Sequence, residues 1–101
     1  MPAPPLNLSA NLSFLFTDVA FPDRFARAAG AGFRGVECMF PYACDRDDLV
    51  RLLRENHLVQ VLHNLPAGDW EGGERGIACL PGREAEFREG VEQAIDYARA
   101  L

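Results

Sequence analysis

The sequence predicts an α/β fold, the first three βα units of a (β/α)8 TIM barrel, with parallel strands and helices on one face. Three observations predict it. Strand-like apolar runs alternate with helix-periodic segments, an order that favours right-handed βαβ units and a parallel sheet. Such sheets are normally covered on both faces, yet three right-handed connections place their helices on one side, and no further segment supplies a second layer. A closed barrel resolves the conflict, because opposite strands pack its interior, but it needs ~250 residues. The 101 residues of this chain are thus read as a single incomplete domain, 1–101, roughly two-fifths of a barrel.

The elements follow in order. "LNLSANLSF" (6–14) is the first strand, bounded by a Pro-rich start. "FPDRFARAAGAG" (21–32) reads as a helix: Pro22 suits the first turn, Phe21, Phe25 and Ala28 share a stripe, and Gly30 or Gly32 ends it. "RGVECMF" (34–40) has the length of a buried strand. The second helix is "CDRDDLVRLLRENH" (44–57), with Asp45 as N-cap, acidic residues in its first turn and Leu49, Leu52 and Leu53 inward. "LVQVLHN" (58–64) is the third strand. Residues 81–101 form the third helix, with an apolar stripe of Phe87, Val91, Ala94, Ala98 and Leu101 beside Ile95.

Composition narrows the function. With 49% hydrophobic and 25% charged residues, the chain resembles ordinary soluble proteins. A net charge of −5 argues against nucleic acid as a partner, but not against a small anion that needs one or two local donors. "LSFLF" is too short to span a bilayer and "MPAPPLNL" lacks the features of a secretory signal. Three cysteines, Cys38, Cys44 and Cys79, lack CxxC spacing and read as free thiols of a reducing cytoplasm. A metal site from Cys38, Cys79 and His63 has no spacing signature.

In a βα barrel, chemistry sits at the C-terminal ends of the strands and in the loops that follow. Those positions hold Asn11 and Ser13, then Glu37, then His63 and Asn64. The stretch after the third strand, "HNLPAGDWEGGERGIACLPGRE" (63–84), is longer than ordinary connections, and such loops are usually lids or binding loops. Gly68, Gly72, Gly73 and Gly76 would let it move, and Trp70 would cover a bound molecule. Arg75 offers a guanidinium for a carboxylate. Each residue also has a plainer reading. His63 alternates with Val59 and Val61 and suits a structural strand end, while Trp70 suits a pin for the loop. Glu37, in an apolar run, needs a pocket or a salt bridge. Gly82, Arg83 and Glu84 read as a helix start. No Ser-His-Asp arrangement, P-loop or GxGxxG is present.

"SANLSFLF" (9–16), "RFARAAGAGFRGVECMFPY" (24–42) and above all "HNLPAGDWEGGERGIACLPGREAEFREGV" (63–91) resemble the hydroxypyruvate isomerase family, in order and through nearly the whole chain. Cys38 stands where the family suggests an aromatic or aliphatic residue. The resemblance implies a xylose-isomerase-like TIM barrel that interconverts hydroxypyruvate and 2-hydroxy-3-oxopropanoate (tartronate semialdehyde) through an enediol. It further implies a cytoplasmic enzyme of glyoxylate metabolism acting on a small anionic 2-oxo acid. The family's acidic proton-transfer pair, and the carboxylates and His that hold a divalent metal, lie in later strands. No catalytic or metal residue is therefore assigned here, and no cofactor is expected for these 101 residues. The substrate-pocket or lid candidates are Asn11, Glu37, His63, Asp69, Trp70 and Arg75. A sister isomerase acting on 2-oxo-tetronate shares the "ANLS", "FPY" and "LPGRE" segments. A third reading is a non-catalytic fragment that self-associates through its open sheet edges.

Overall fold

The computed structural model describes residues 1–101. Its elements are β1 (Ser9–Asn11), a 3-10 turn (Phe21–Asp23), α1 (Arg24–Gly30), β2 (Gly35–Cys38), α2 (Arg46–Glu55), β3 (Val59–His63) and α3 (Glu84–Ala100). The sheet order is β1-β2-β3 and both pairings are parallel. The strands are shorter than the apolar runs that predicted them. At the end of β1, Phe14 and Leu15 both donate to the Asn11 carbonyl, which turns the chain. Side-chain bonding then continues the ladder, since Ser13 Oγ accepts from Met39 N at 2.8 Å.

Alternation along β1 and β2 settles which face is covered. Ala10, Leu12 and Val36 point to one side, where they meet Phe25 and Ala28 of α1 and Leu49 and Leu53 of α2 in one buried cluster closed by Leu58. The helices lie side by side over this face, as the right-handed connections require.

Both early helices end on the same device. In α1, Phe33 N bonds back to Ala28 O, with Gly32 at φ +97° between them. In α2, Leu58 N bonds back to Leu53 O, and His57 takes the left-handed position at φ 55°. The α2 N-cap is Asp45, whose carboxylate accepts from Asp47 N at 2.9 Å and Asp48 N at 3.3 Å. These bonds satisfy amides that no helical carbonyl can reach.

The stripe predicted for α3 is only partly used. Ala94 is buried, and Tyr97 and Leu101 pack against the core, but Ala98 and Ile95 are exposed. This helix packs on α2 and is tied to the end of β3, an edge strand, by the His63 side chain.

The opposite face of the sheet is bare: Val59, Val61 and Leu62 are 65%, 58% and 48% exposed. Solvent reaches 6909 Å² of the chain, against ~5,700 Å² for a closed monomer of this mass. The radius of gyration is 15.5 Å, against about 13 Å for a compact domain of 100 residues. Both excesses fit an open sheet face together with the exposed segment of residues 1–8.

One irregularity decides where β3 aims its side chains. Val36 pairs with Gln60 but Glu37 pairs with Leu62, so Val61 is an extra residue. Val61 lies over Gly35 on the open face, where a Cβ on that glycine would stand 3.0 Å from Val61 Cγ2. Leu62, opposite Glu37, shares that face. His63, opposite Cys38, is returned to the helix side.

Candidate functional site at the strand C-terminal rim

Asn11 and Glu37 pair in register on the open face. Asn11 Oδ1 accepts from Ser13 N at 2.9 Å, which holds the turn after β1. The Glu37 carboxylate takes part in none of the chain's ion pairs. It is half-buried beside Leu62 and directed to the side that the helices do not cover. Its partner is therefore not a salt bridge within the chain.

His63 is placed differently from the alternation with Val59 and Val61 that its sequence suggests. The bulge turns it toward α3, where Nε2–H donates to the Ala94 carbonyl at 3.0 Å. Tyr42 meets its ring edge-on at 6.1 Å and Tyr97 meets Tyr42 at 5.2 Å. The Tyr42 hydroxyl donates to the Asn64 carbonyl, and the Tyr97 hydroxyl to the Cys44 carbonyl at 2.7 Å. Burial pushes the Tyr42 hydroxyl up to about 12 and the Cys38 thiol up to about 11, so both stay neutral near pH 7. This layer is structural: it ties α3 to the ends of β2 and β3.

The loop after β3 forms the rim. Trp70 packs edge-on against Phe40, with ring centres 5.1 Å apart. Arg75 lies over Trp70, its guanidinium carbon 3.7 Å from the ring centre. Arg75 Nη1 donates to the Trp70 and Glu74 carbonyls at 2.9 and 2.8 Å. No acceptor within the chain engages Nη2 or Nε, so one edge of the guanidinium is free for an anion. These residues border an open groove of about 540 Å³, also lined by Met39, Asn64 and Ile77, with His63 at its margin.

Asp69 faces inward to the loop's own backbone, where Oδ1 accepts from Gly72 N at 2.9 Å. Glu74 Oε1 accepts from Asp69 N at 2.7 Å, and its carboxylate pairs with Arg83, which also holds Glu86 at 2.8 Å. The Arg83 guanidinium holds Glu74 and Glu86 below the usual carboxylate range. Ile77, 4% exposed, anchors the far side of the loop. Gly68, one of the residues read as a source of movement, instead fixes a turn. Its φ is +84°, and a Cβ there would lie 2.7 Å from Glu74 Oε1 and 2.8 Å from Ile77 Cγ2.

Sequence reasoning missed Phe40, Glu74 and Arg83. Arg83, read as part of a helix start, is the N-cap of α3 and also grips Glu74 nine residues earlier. The i,i+3 spacing of Arg83 and Glu86 was the one signal available. Nothing in the sequence marked Glu74 as their partner.

No three His, Cys, Asp or Glu side chains gather to hold a metal ion. The donor set of these residues does not fit the divalent ion that the resemblance implies. No helix is long and apolar enough to cross a membrane.

Comparison with known proteins agrees with this geometry. Residues 25–101 match the family described as xylose isomerase-like TIM barrel. Hydroxypyruvate isomerase of Escherichia coli K12 is 62% identical over 96 residues, covering 95% of this chain and 37% of that protein. A 2-oxo-tetronate isomerase of Cupriavidus necator is 51% identical, over 92% of this chain and 36% of the relative. A crystal structure of an AP endonuclease, family 2, from Brucella melitensis superposes with a TM-score of 0.90 at 52% identity, covering 95% of this chain and 38% of the other. The chain thus spans a little over a third of the length of the relatives it matches. With three parallel βα units, an open inner face and this match, the chain belongs to the xylose isomerase-like TIM barrel family, of whose barrel it forms a part.

Proposed function

We propose that this chain provides the first three βα units of a hydroxypyruvate isomerase. The enzyme interconverts hydroxypyruvate and 2-hydroxy-3-oxopropanoate by proton transfer through an enediol. The observation that carries the reading is Arg75: stacked on Trp70 beside the rim groove, it keeps one guanidinium edge free for the substrate carboxylate. Glu37 and Asn11, paired in register on the face that the helices do not cover, are further candidates to meet the substrate from the barrel interior. Trp70 closes the groove from the side, Asp69 holds the loop's shape, and His63 keeps α3 and β3 together behind it. The net charge of −5 favours a small anion held by local donors over nucleic acid.

Proton transfer and any divalent ion come from strands beyond these residues, so the 101-residue chain alone is inactive. Its three unpaired thiols suit a reducing cytoplasm. The 62% identity to hydroxypyruvate isomerase against 51% to 2-oxo-tetronate isomerase supports hydroxypyruvate as the substrate. The test is steady-state isomerisation of both 2-oxo acids by the complete enzyme and its Arg75→Met variant. A KM for hydroxypyruvate that rises at least tenfold in the variant is expected; preference for 2-oxo-tetronate would transfer the assignment to the sister reaction. The bare face with Val59, Val61 and Leu62 favours one further property of the isolated chain, self-association.

A further inference from the structure

Arg75 does not hold its own position. Its two carbonyl acceptors belong to Trp70 and Glu74. Glu74 is in turn fixed on both sides: Oε1 accepts from Asp69 N at 2.7 Å and from Arg83 Nη2 at 3.1 Å, and Oε2 accepts from Arg83 Nη1. The Arg83 fork continues to Glu86 through Nε and Nη2, each at 2.8 Å. Arg83 also stands at the N-cap position of α3, its carbonyl accepting from Phe87 N at 3.0 Å; this helix of 17 residues is anchored by Ala94 in the core and by the His63 bond. A rigid helix is thereby linked, through one arginine and one glutamate, to the exposed turn that presents the free guanidinium edge. The Arg83 and Glu74 side chains are 30% and 26% exposed, less than the partners in the chain's other ion pairs apart from Arg83 with Glu86.

We propose that Arg83 is a positioning residue for carboxylate recognition, acting through Glu74 to hold Arg75 and Trp70 at the groove. The inference rests on the reading of Arg75 as the residue that binds the substrate carboxylate. It assigns Arg83 no contact with substrate. Its loss should weaken substrate capture and leave the proton-transfer step alone, because a displaced gripping group costs binding geometry. An Arg83→Lys side chain keeps the charge but cannot grip Glu74 and Glu86 with one planar fork, so charge alone should rescue only in part.

The complete isomerase is the protein to test, as wild type, R83M, R83K, R75M and R75M/R83M. The readouts are KM and kcat for hydroxypyruvate, and the affinity for pyruvate, a 2-oxo acid without the 3-hydroxyl, followed by Trp70 fluorescence with W70F as the blank. Far-UV circular dichroism confirms that each variant is folded. R83M should raise KM and the pyruvate Kd roughly tenfold with kcat within about twofold, and R83K should fall between R83M and wild type. The double variant should be no worse than R75M, because Arg83 acts only through Arg75. Additive losses in the double variant, or an unchanged KM in folded R83M and R83K, would overturn the proposal. If R75M itself leaves KM and pyruvate affinity unchanged, the assignment of Arg75 fails and takes this inference with it. An enzyme inactive on hydroxypyruvate whose pyruvate binding still follows the expected order would instead lose only the substrate assignment.

Discussion

The matched ends of α1 and α2 give a prediction of opposite signs from one device. Gly32 sits at φ +97°, and nothing lies within 4 Å of where a Cβ would stand. The cost of Gly32→Ala is thus conformational rather than steric. A side chain in the left-handed region costs about 1–2 kcal/mol, and restricting the unfolded chain returns about 0.4–1 kcal/mol. The net loss should be about 0.5–1.5 kcal/mol. His57, exposed and at φ 55°, already bears that cost. His57→Gly should therefore gain about 0.5–1 kcal/mol by the same arithmetic reversed, with His57→Asn between. Urea unfolding of the chain followed at 222 nm reads both. With an m-value of about 1 kcal/mol/M, midpoints should move ~0.5–1.5 M down and ~0.5–1 M up. Changes of the same sign in the two variants would refute the reasoning, since they could not arise from a shared backbone conformation.

Three further outcomes are expected. Asp45→Ala removes the acceptor for Asp47 N and Asp48 N and should cost about 1 kcal/mol in the same unfolding assay, with Asp45→Ser close to wild type. At high pH, burial holds the Cys38 thiol up from 9.0 to about 11 and the Tyr42 hydroxyl from 10.0 to about 12. Folded values above unfolded ones mean that this stabilisation is complete below pH ~9 and is lost as pH rises toward 11–12, so the unfolding midpoint should fall across that window and Cys38→Ala should remove the lower part of the fall. Finally, the 11.2 kDa chain should sediment as dimers or larger species, and V61K/L62K should return it to monomer; a wild-type monomer would remove self-association from the account.

Most of the fold was legible because it rests on local signals that tertiary packing did not overrule. Asp45 caps where its acidic turn indicated, Phe25 and Ala28 bury on their stripe, and Gly32 closes α1. The absence of a second layer correctly implied an open inner face, now visible in Val59 and Val61. The site was less legible. Asn11 and Glu37 were reached from their places near the C-terminal ends of two strands, whereas His63 lay beyond a bulge that no periodicity announces. In the rim loop, Trp70 and Arg75 were readable as chemical types. Their stacking, and the Glu74–Arg83 pair behind them, depend on turns set by glycines whose φ cannot be read from composition.

The bulge also makes a deletion in the middle of a strand tolerable. Val61 and Leu62 both lie on the open face, so removing Val61 restores plain alternation: Gln60 stays opposite Val36, Leu62 opposite Glu37 and His63 opposite Cys38. The His63 bond to the Ala94 carbonyl, and the seat of α3, should survive. What is lost is the extra twist of the bulged strand and a methyl contact over Gly35, neither of which holds the buried cluster together. Removing Gln60 together with Val61 is different. One residue too few then remains, Leu62 falls opposite Val36, and His63 turns to the open face. Imidazole NMR distinguishes the two cases, because the Nε2–H proton is protected from exchange with water only while Ala94 accepts the bond. The single deletion should keep the slowly exchanging imidazole proton of the wild type and the double deletion should lose it. Loss in the single deletion would mean that the extra residue of β3, rather than the parity it preserves, is what seats His63.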